Sequence, residues 1–367
     1  MKLRRYSPLQ AATPLHARGA VRPECASAAA GRIITLDEWQ AFVEDHPGSG
    51  PFHHRAWIEL LVHQYGLRPR IVAVHDRDGR ILAGLPFLQS GGTWRRPIWR
   101  CLPFTDCMRA LTTTLLDQDL LREAIGQVSS DACRLVLLVT AHPFSSHACP
   151  SGWVRHELDL SVPLEQIERQ FPGPLVRNLR KAEKGGLQWT RRHDPQALDE
   201  FYDLHLRTRR KLGVPVQPRG FFRRLQEEIV ARGLGFVAVV SQEERPLAAA
   251  VFLVYKSVVI YKYGASEPEA LECRPNEWLM YHAIRWAAQS GHARFDFGVS
   301  QQQQEGLRRY KRKWGAVESI VYHDYFRGSG RPTGDDSWAL KAAAAIIRRS
   351  PPLVCRALGE MLYRYRY

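Results

Sequence analysis

Apolar and polar residues alternate along the chain with two periods, that of a helix and that of a strand. Within 55–65, for example, Trp57, Leu60 and Leu61 recur at helical spacing and would share one face of a helix. A stretch rich in proline, serine and histidine, 142–151, separates the chain into two halves. In the first half the pattern predicts helices over 37–43, 55–65 and 115–128 and strands over 70–74, 80–88 and 134–140.

One strand–turn–strand unit of the first half, 71–88, recurs without a gap at 236–253. Identical residues stand at Val72 and Val237, Ala73 and Ala238, Val74 and Val239, Arg80 and Arg245, Leu82 and Leu247, Ala83 and Ala248, and Phe87 and Phe252. A predicted helix precedes each unit and ends at a glycine, Gly66 in the first and Gly233 in the second. The recurrence predicts an α/β fold made by duplication, with two domains that each hold a mixed sheet covered by helices.

The rest of the second half continues the alternation. It predicts a strand over 258–263, a helix over 277–290 capped by Asn276, a strand over 294–297 and a polar helix over 301–313. We therefore predict a flexible tail over 1–30, a first domain over 31–150, a second domain over 151–330 and a basic helical extension over 331–367. This extension could lie on a membrane surface with its apolar side down, or pack against the second domain.

The composition is that of an ordinary globular protein, because 45% of the 367 residues are hydrophobic and 24% are charged. No apolar run approaches the ~18 residues of a membrane-spanning helix, and the first 30 residues lack the apolar core of a signal peptide. The seven cysteines include no Cys-x-x-Cys pair, which argues against a disulfide framework and against a zinc site. We expect a cytoplasmic protein without a metal.

Basic residues exceed acidic ones by 15, and much of the excess falls in three clusters. The segment 205–224 has seven bases and no acid, 171–192 has six bases and Glu183, and 305–315 has five bases and Glu305. Concentrated positive charge favours phosphates, nucleic acid or anionic lipid as a partner, although solvated helix faces would give the same pattern.

The sequence contains no Ser nucleophile elbow, Walker loop, dinucleotide-binding glycine fingerprint, kinase loop or His-Glu-x-x-His motif. Four other segments could carry chemistry. They are the basic helix-like run Arg177–Gly186, the run His205–Gly213, the strand end Asp296-Phe297-Gly298 and the basic turn Tyr310-Lys311-Arg312-Lys313-Trp314-Gly315-Ala316.

These segments, in this order and together with Pro275-Asn276 and Leu102-Pro103-Phe104-Thr105-Asp106, resemble the FemAB-like branch of the GNAT acyltransferases. The resemblance covers roughly residues 30–326. It implies two tandem GNAT-type domains that transfer an aminoacyl or acetyl group to an amine on a cell-envelope or exopolysaccharide precursor. The implied acyl donor is aminoacyl-tRNA or acyl-CoA, with no tightly bound cofactor.

Three residues are candidates for the chemistry of acyl transfer. By the resemblance, Lys311 matches the lysine of the family's Phe-Lys-x-x-Phe-Gly-like turn, and a cation there would stabilise the oxyanion that forms on the attacked carbonyl. Asp296 or Asp106 could accept the proton of the attacking amine, although each could also only cap a turn. The usual GNAT pyrophosphate loop is missing, since 264–275 contains only Gly264, and this speaks against CoA binding by backbone amides.

The remaining candidates would bind substrate or phosphate groups. Asn276 and Trp314 are included with the alternatives that Asn276 is a helix cap and Trp314 a core residue. The cations are Arg177, Arg180, Lys181, Lys184, Arg207, Arg209 and Arg210. Three other functions stay open: a CoA-dependent acetyltransferase on a small amine, a non-enzymatic RNA-binding protein and a scaffold at the membrane surface.

Overall fold

The computed structural model describes residues 30–91, 97–129, 133, 135–327 and 338–365. Its strands form one mixed sheet. They are β1 Ala30–Ile34, β2 Arg68–His75, β3 Ile81–Ser90, β4 Ile98–Arg100, β5 Leu111–Thr112, β6 Leu135–Thr140, β7 Cys149–Asp159, β8 Gln188–Arg192, β9 Gly235–Gln242, β10 Arg245–Tyr255, β11 Val258–Ser266, β12 Arg294–Gln301 and β13 Val317–Arg327.

Helices cover both faces of this sheet. They are α1 Leu36–Asp45, α2 Arg55–Tyr65, α3 Leu115–Val128, α4 Leu164–Arg169, α5 Gly173–Lys184, α6 Pro195–Leu212, α7 Arg219–Leu225, α8 Pro275–Gln289, α9 Glu305–Arg312, α10 Trp338–Arg349 and α11 Pro352–Tyr365. A π-helical turn, Gln226–Val230, extends α7, and a 3-10 helix, Pro268–Cys273, leads into α8.

The two halves of the chain share one topology. In the first half the hairpin β2–β3 is followed by the antiparallel strand β4, then by α3, and then by β6, which runs parallel to β4. In the second half the hairpin β9–β10, the strand β11, the helix α8 and the parallel strand β12 repeat this order. The predicted mixed α/β fold with a duplicated unit is confirmed.

The halves exchange their last strands at the centre of the sheet, where the strand order is β6–β13–β7–β12. Strand β7 follows β6 in the chain but pairs with β12, and β13 follows β12 in the chain but pairs with β6. Strands β7 and β13 also pair with each other. A cut at the predicted boundary near residue 150 would therefore leave the first half without its last strand.

The second half buries its sheet between two layers of helices, because successive residues of a strand face opposite sides. Val237, Val239 and Val251 belong to the cluster that includes the buried face of α6 and α7. Their neighbours Ala238 and Phe252 belong to the cluster that includes the buried face of α8. Helices α6 and α7 therefore cover one face of β9 and β10, and helix α8 covers the other face.

Several predicted elements need correction. Helix α8 begins at Pro275 and follows Arg274, whose φ is 63°, so Asn276 lies inside the first turn and does not cap the helix. Strand β12 continues past Gly298 to Gln301, and the polar helix is shorter than predicted. The pattern did not predict β1, β7, β8 or β13, and the predicted tail over 1–30 lies outside the described residues except for Ala30.

The two C-terminal helices pack on α6. Tyr363 of α11 is buried, and its ring lies 5.6 Å from that of Phe104. Gly213 and Gly359 allow close contact, because a Cβ on Gly213 would lie 2.8 Å from the Ala344 carbonyl oxygen and one on Gly359 would lie 2.2 Å from that of Val216. No helix in the described part of the chain is long and apolar enough to cross a bilayer.

Gly84→Ala tests the packing of the first half. A Cβ on Gly84 would lie 2.7 Å from Cζ3 of the fully buried Trp39, so we expect the free energy of unfolding to fall by about 1–3 kcal/mol. Gly126→Ala in α3 is the control, because its Cβ would meet no atom within 4 Å, and it should gain about 0.5–1 kcal/mol. Equal denaturant midpoints for Gly84→Ala and the wild type would contradict the packing described here.

Candidate active site

The parallel strands β11 and β12 separate after three paired residues. Their pairs are Val258 with Arg294, Val259 with Phe295 and Ile260 with Asp296. Beyond these pairs, β11 runs on over 261–266 and β12 over 297–301 without pairing with each other. We call the space between these two segments the strand gap. It opens beyond the carboxyl ends of parallel strands, where α/β proteins place their ligands.

A buried ion pair lies at the base of the strand gap. The Asp296 carboxylate accepts hydrogen bonds from Arg155 Nε at 3.0 Å and Nη2 at 2.6 Å, and from the backbone N–H of Gly298 at 2.8 Å. Arg155 also contacts Glu157 at 2.9 Å. Burial alone would lower the pKa of Arg155, but the charge of Asp296 outweighs it and raises the pKa above its ordinary value. Both oxygens of Asp296 are therefore occupied.

Lys311 reaches the same gap from α9. Its Nζ donates to the carbonyl oxygens of Gly298 at 3.1 Å and Val299 at 2.9 Å, and the residue is 4% exposed. Burial lowers the pKa of Lys311 to about 8, against the opposing effect of Asp106 and Asp296. The ammonium group therefore changes charge close to physiological pH.

Asp106 comes from the first half, in the loop that follows β4. Lys262 Nζ donates to Asp106 Oδ1 at 3.1 Å and to the Phe104 carbonyl oxygen at 2.8 Å. Asp106 also lies against β12, because a Cβ on Gly298 would stand 3.1 Å from Asp106 Oδ2. The fold thus brings the three predicted residues Asp106, Asp296 and Lys311 to one place from three distant segments.

Sequence reasoning missed Lys262 and Arg155. The Lys262 side chain is 4% exposed, and its Nζ lies 5.2–5.6 Å from the ring centres of Phe52, Trp57 and Tyr263. A lysine within the apolar run 258–263 was a signal, since a buried lysine requires a partner. Arg155 gave no such signal, because the pattern did not predict the strand β7 that carries it.

A cleft of about 240 Å³ lies beside the strand gap, between β10 and β11 on one side and α8 and α9 on the other. Asn276 crosses it with a hydrogen bond to Ser266 Oγ at 3.1 Å, and the Tyr310 hydroxyl donates to the Asn276 carbonyl oxygen at 3.0 Å. Burial raises the pKa of Tyr261 to about 12. The lining of the cleft is mostly apolar. It consists of Thr208, Ala249, Ala250, Tyr261, Gly264, Ala265, Ser266, Asn276, Leu279, Met280, Leu307 and Tyr310.

The segment that leads into α8 carries negative charge. Glu267 is buried and pairs with Arg207, while Glu269 and Glu272 are exposed. Pro275 at the first position of α8 has no N–H group to donate. This end of the cleft therefore offers one N–H fewer to a pyrophosphate, and its charges are mixed, since Arg207 and Arg274 stand among the three glutamates.

The predicted cations fall into two groups. Arg177, Arg180, Lys181 and Lys184 are all exposed on one side of α5, which packs against α8. Within the described ranges, none of the four has a carboxylate at ion-pair distance. They remain candidates for binding phosphate groups.

The other cations are engaged elsewhere. Arg207 is held by Glu267, and Arg209 donates to the Pro215 carbonyl oxygen at 3.1 Å and to the Tyr363 hydroxyl at 3.3 Å. The charge of Arg210 acts on Cys355 of α11. Arg209 thus supports the C-terminal helices, and phosphate binding by Arg207, Arg209 and Arg210 stays a prediction.

Trp314 also differs from the expectation of a substrate platform. It is fully buried and meets Phe171 edge-on, with ring centres 5.5 Å apart and planes at 90°. It does not line the cleft. Trp314 is therefore a core residue that fixes the turn after Lys311.

In the first half, the loop that follows β4 occupies the gap that corresponds to the strand gap. After β4 and β6 separate, the backbone N–H of Cys101 donates to Leu137 and that of Met108 donates to Val139. The same loop delivers Asp106 to the second half. In the described part of the chain, no group of three or more His, Cys, Asp or Glu side chains could hold a metal ion.

Comparisons with known proteins agree with this fold. Residues 174–312 match the family described as Acetyltransferase (GNAT) domain. The chain superimposes on the crystal structure of FemX with a TM-score of 0.65 and 15% identity, covering 80% of this chain and 96% of FemX. A comparison with curated protein sequences finds no match.

A second solved structure shares the fold at a greater distance. It is the C-terminal domain of a putative lysylphosphatidylglycerol synthetase from Agrobacterium fabrum, with a TM-score of 0.52 and 14% identity, covering 85% of this chain and 94% of that domain. The chain therefore has the fold of FemX, and residues 174–312 of its second half match the GNAT acetyltransferase family.

Lys262→Met tests whether the Lys262–Asp106 pair holds the loop of the first half against the second half. We expect a loss of about 3 kcal/mol in the free energy of unfolding, since a charge is left without its buried partner. Adding Asp106→Asn should restore part of this loss in a double-mutant cycle.

The control for this cycle is Arg77→Met at the exposed turn after β2, which should change stability by less than about 0.5 kcal/mol. Additive effects of Lys262→Met and Asp106→Asn in denaturant unfolding would show that the two side chains do not stabilise each other.

Proposed function

We propose that the chain is an acyltransferase that moves an aminoacyl or acetyl group to an amine on a cell-envelope or exopolysaccharide precursor. The observation that carries this proposal is the convergence of Asp106, Asp296 and Lys311 at the strand gap, beside a narrow cleft in a GNAT-type domain. Both candidate donors are made in the cytoplasm, so the proposal locates the reaction there or at the inner face of the membrane.

In the proposed reaction, the amine attacks the carbonyl carbon of the donor, and a C–N bond forms. The carbonyl oxygen becomes negative in the tetrahedral intermediate, and the Lys311 ammonium stabilises it. The attacking nitrogen becomes positive and its proton becomes acidic, so a carboxylate can accept it. The C–O bond of an ester donor, or the C–S bond of a thioester, then breaks, and the proton passes to the leaving oxygen or sulfur.

Asp106 is the better proton acceptor of the two carboxylates. Asp296 is 1% exposed and its oxygens are occupied by Arg155 and the N–H of Gly298. The Asp106 side chain is 21% exposed and has Lys262 as its charged partner. We assign Asp296 to positioning Arg155 and the backbone at Gly298, and Asp106 to the proton transfer.

Two features favour aminoacyl-tRNA over acyl-CoA as the donor. The exposed carboxylates of Glu269 and Glu272, in the segment that leads into α8, would repel the pyrophosphate of CoA. The free cations of α5 stand next to α8 and could hold the phosphates of an RNA end or of the acceptor instead. An aminoacyl ester at the 3′ end of a tRNA needs no pyrophosphate site in the cleft.

Parallel incubation with labelled aminoacyl-tRNA and labelled acetyl-CoA, in the presence of an envelope-precursor extract, tests the donor. We expect label to move from aminoacyl-tRNA and not from acetyl-CoA. Lys311→Met should lower the rate about 100-fold, which corresponds to the loss of one oxyanion donor. Arg309→Met, an exposed cation on the same helix, is the matched control and should retain the rate.

The pH dependence adds a second readout to this experiment. Lys311 loses its proton as the pH rises through about 8, so the wild-type rate should fall above pH 8, and the residual rate of Lys311→Met should lack this fall. Full activity of Lys311→Met would reject the oxyanion role. RNA binding without transfer of either label would favour the non-enzymatic alternative.

Removing the α5 cations tests the phosphate-binding surface. The variant Arg177→Gln, Arg180→Gln, Lys181→Gln and Lys184→Gln should weaken tRNA binding most at low salt. It should also reduce the slope of log binding constant against log salt by about 3, since each lost phosphate contact contributes about 0.7.

The control removes four exposed cations elsewhere and should leave the slope nearly unchanged. It combines Arg68→Gln, Arg77→Gln, Arg80→Gln and Arg232→Gln. Equal slopes for the α5 variant and the control would mean that general charge, and not this helix, attracts the RNA.

A further inference from the structure

Helix α11 has apolar residues on two opposite sides. Its inner side buries Cys355, Gly359 and Tyr363, which follow one another at intervals of four residues. Its opposite side, which we call the outer face of α11, is exposed. The outer face consists of Leu353, Val354, Ala357 and Met361.

This outer face is apolar to an unusual degree for an exposed helix. Leu353 is 74% exposed, Met361 is 50% exposed and Val354 is 42% exposed. Ile346 near the end of α10 is 57% exposed as well. A helix on a protein surface ordinarily presents polar residues to water, so a group of exposed apolar residues indicates a contact with a partner.

The elements around the outer face are strongly basic. In α7, α10, α11 and the last two turns of α6, the sequence has a single acidic residue, Glu360, which accepts the backbone N–H of Arg219. Asp199, on an earlier turn of α6, pairs with Arg219. The described cations of these elements that are not bound to an acid include Arg210, Lys211, Arg223, Arg348, Arg349 and Arg356.

We propose that the outer face of α11 docks on an anionic membrane surface. The apolar side chains would enter the boundary between headgroups and acyl chains, and the surrounding cations would contact the headgroup phosphates. The charge of this region selects this occupant, since a second copy of the chain would oppose cations to cations. The inference goes beyond the proposed chemistry and does not depend on it.

The docked helix is connected to the candidate active site. The inner side of α11 places Tyr363 against Phe104, which lies two residues before Asp106, and the Tyr363 hydroxyl accepts from Arg209 of α6. A membrane bound to the outer face would therefore lie about one helix diameter, roughly 10 Å, from the loop that carries Asp106. An acceptor held at the membrane would be brought near the strand gap.

Vesicle co-sedimentation of the full-length protein tests the docking. We expect binding to vesicles of phosphatidylcholine with about 30% phosphatidylglycerol, whose anionic headgroups give the surface a negative potential, and little binding to phosphatidylcholine alone. Leu353→Glu with Met361→Glu should reduce the bound fraction at least tenfold. Leu116→Glu on α3 is the control, because Leu116 is 71% exposed and α3 packs on β1, β2 and β3, whereas α11 packs on α6.

Arg348→Gln with Arg349→Gln should weaken binding at low salt more than at high salt, because exposed charges are screened by salt. Thermal unfolding of each variant shows whether it folds, and Leu353→Gln with Met361→Gln repeats the test without adding charge. Failure of the wild type to bind anionic vesicles would overturn the proposal. So would equal binding by both outer-face variants, or a dimer in the absence of vesicles that these variants dissociate.

Discussion

The backbone groups of β11 and β12 that face the strand gap need hydrogen-bond partners, and this requirement determines which polar side chains surround the gap. Beyond the pair of Ile260 and Asp296, neither β11 nor β12 has a partner strand on that side, so exposed backbone groups need other partners. Lys311 supplies two hydrogen bonds to the carbonyl oxygens of β12, and its buried charge in turn needs nearby carboxylates. Asp296 and Asp106 provide them, and Asp106 comes from the other half. The site is therefore complete only when the two halves pack against each other.

The pairing of β7 with β12 and of β13 with β6 joins the two halves in one continuous sheet. Strand β7 leaves the first half and pairs with β12, and by doing so it carries Arg155 to Asp296. Separating residues 31–150 from residues 151–330 would break the pairing of β13 with β6 and would also leave Lys262 without Asp106. A protein whose site combines a loop of one half with strands of the other needs such a connection, since a small shift between the halves would move Asp106 away from Lys311.

Local patterns explain which elements could be predicted from the sequence. The helix over 115–128 and the repeated hairpin have clear periods, and the structure reproduces them at Leu115–Val128 and in β2–β3 and β9–β10. The central strands β7 and β13 were missed because they bury polar side chains such as Arg155 and Asp324, which interrupt an apolar pattern. The grouping of Asp106, Asp296 and Lys311 came from the order of motifs. The partners Lys262 and Arg155, and the orientation of Arg209 and Trp314, depend on register and packing between distant segments, which composition and spacing do not determine.

The charge distribution around the cleft distinguishes its two ends. The segment that leads into α8 exposes Glu269 and Glu272, and α8 itself begins with Pro275. The neighbouring helix α5 instead presents four cations that have no acidic partner in the described structure. A compact donor with its phosphates close to the acyl group would meet the acidic end, and electrostatic repulsion would oppose it. A long donor whose phosphates lie outside the cleft would instead extend over α5 while its acyl ester reaches Lys311. The cleft between these ends has a mostly apolar lining, and its volume of about 240 Å³ has room for a small acyl group.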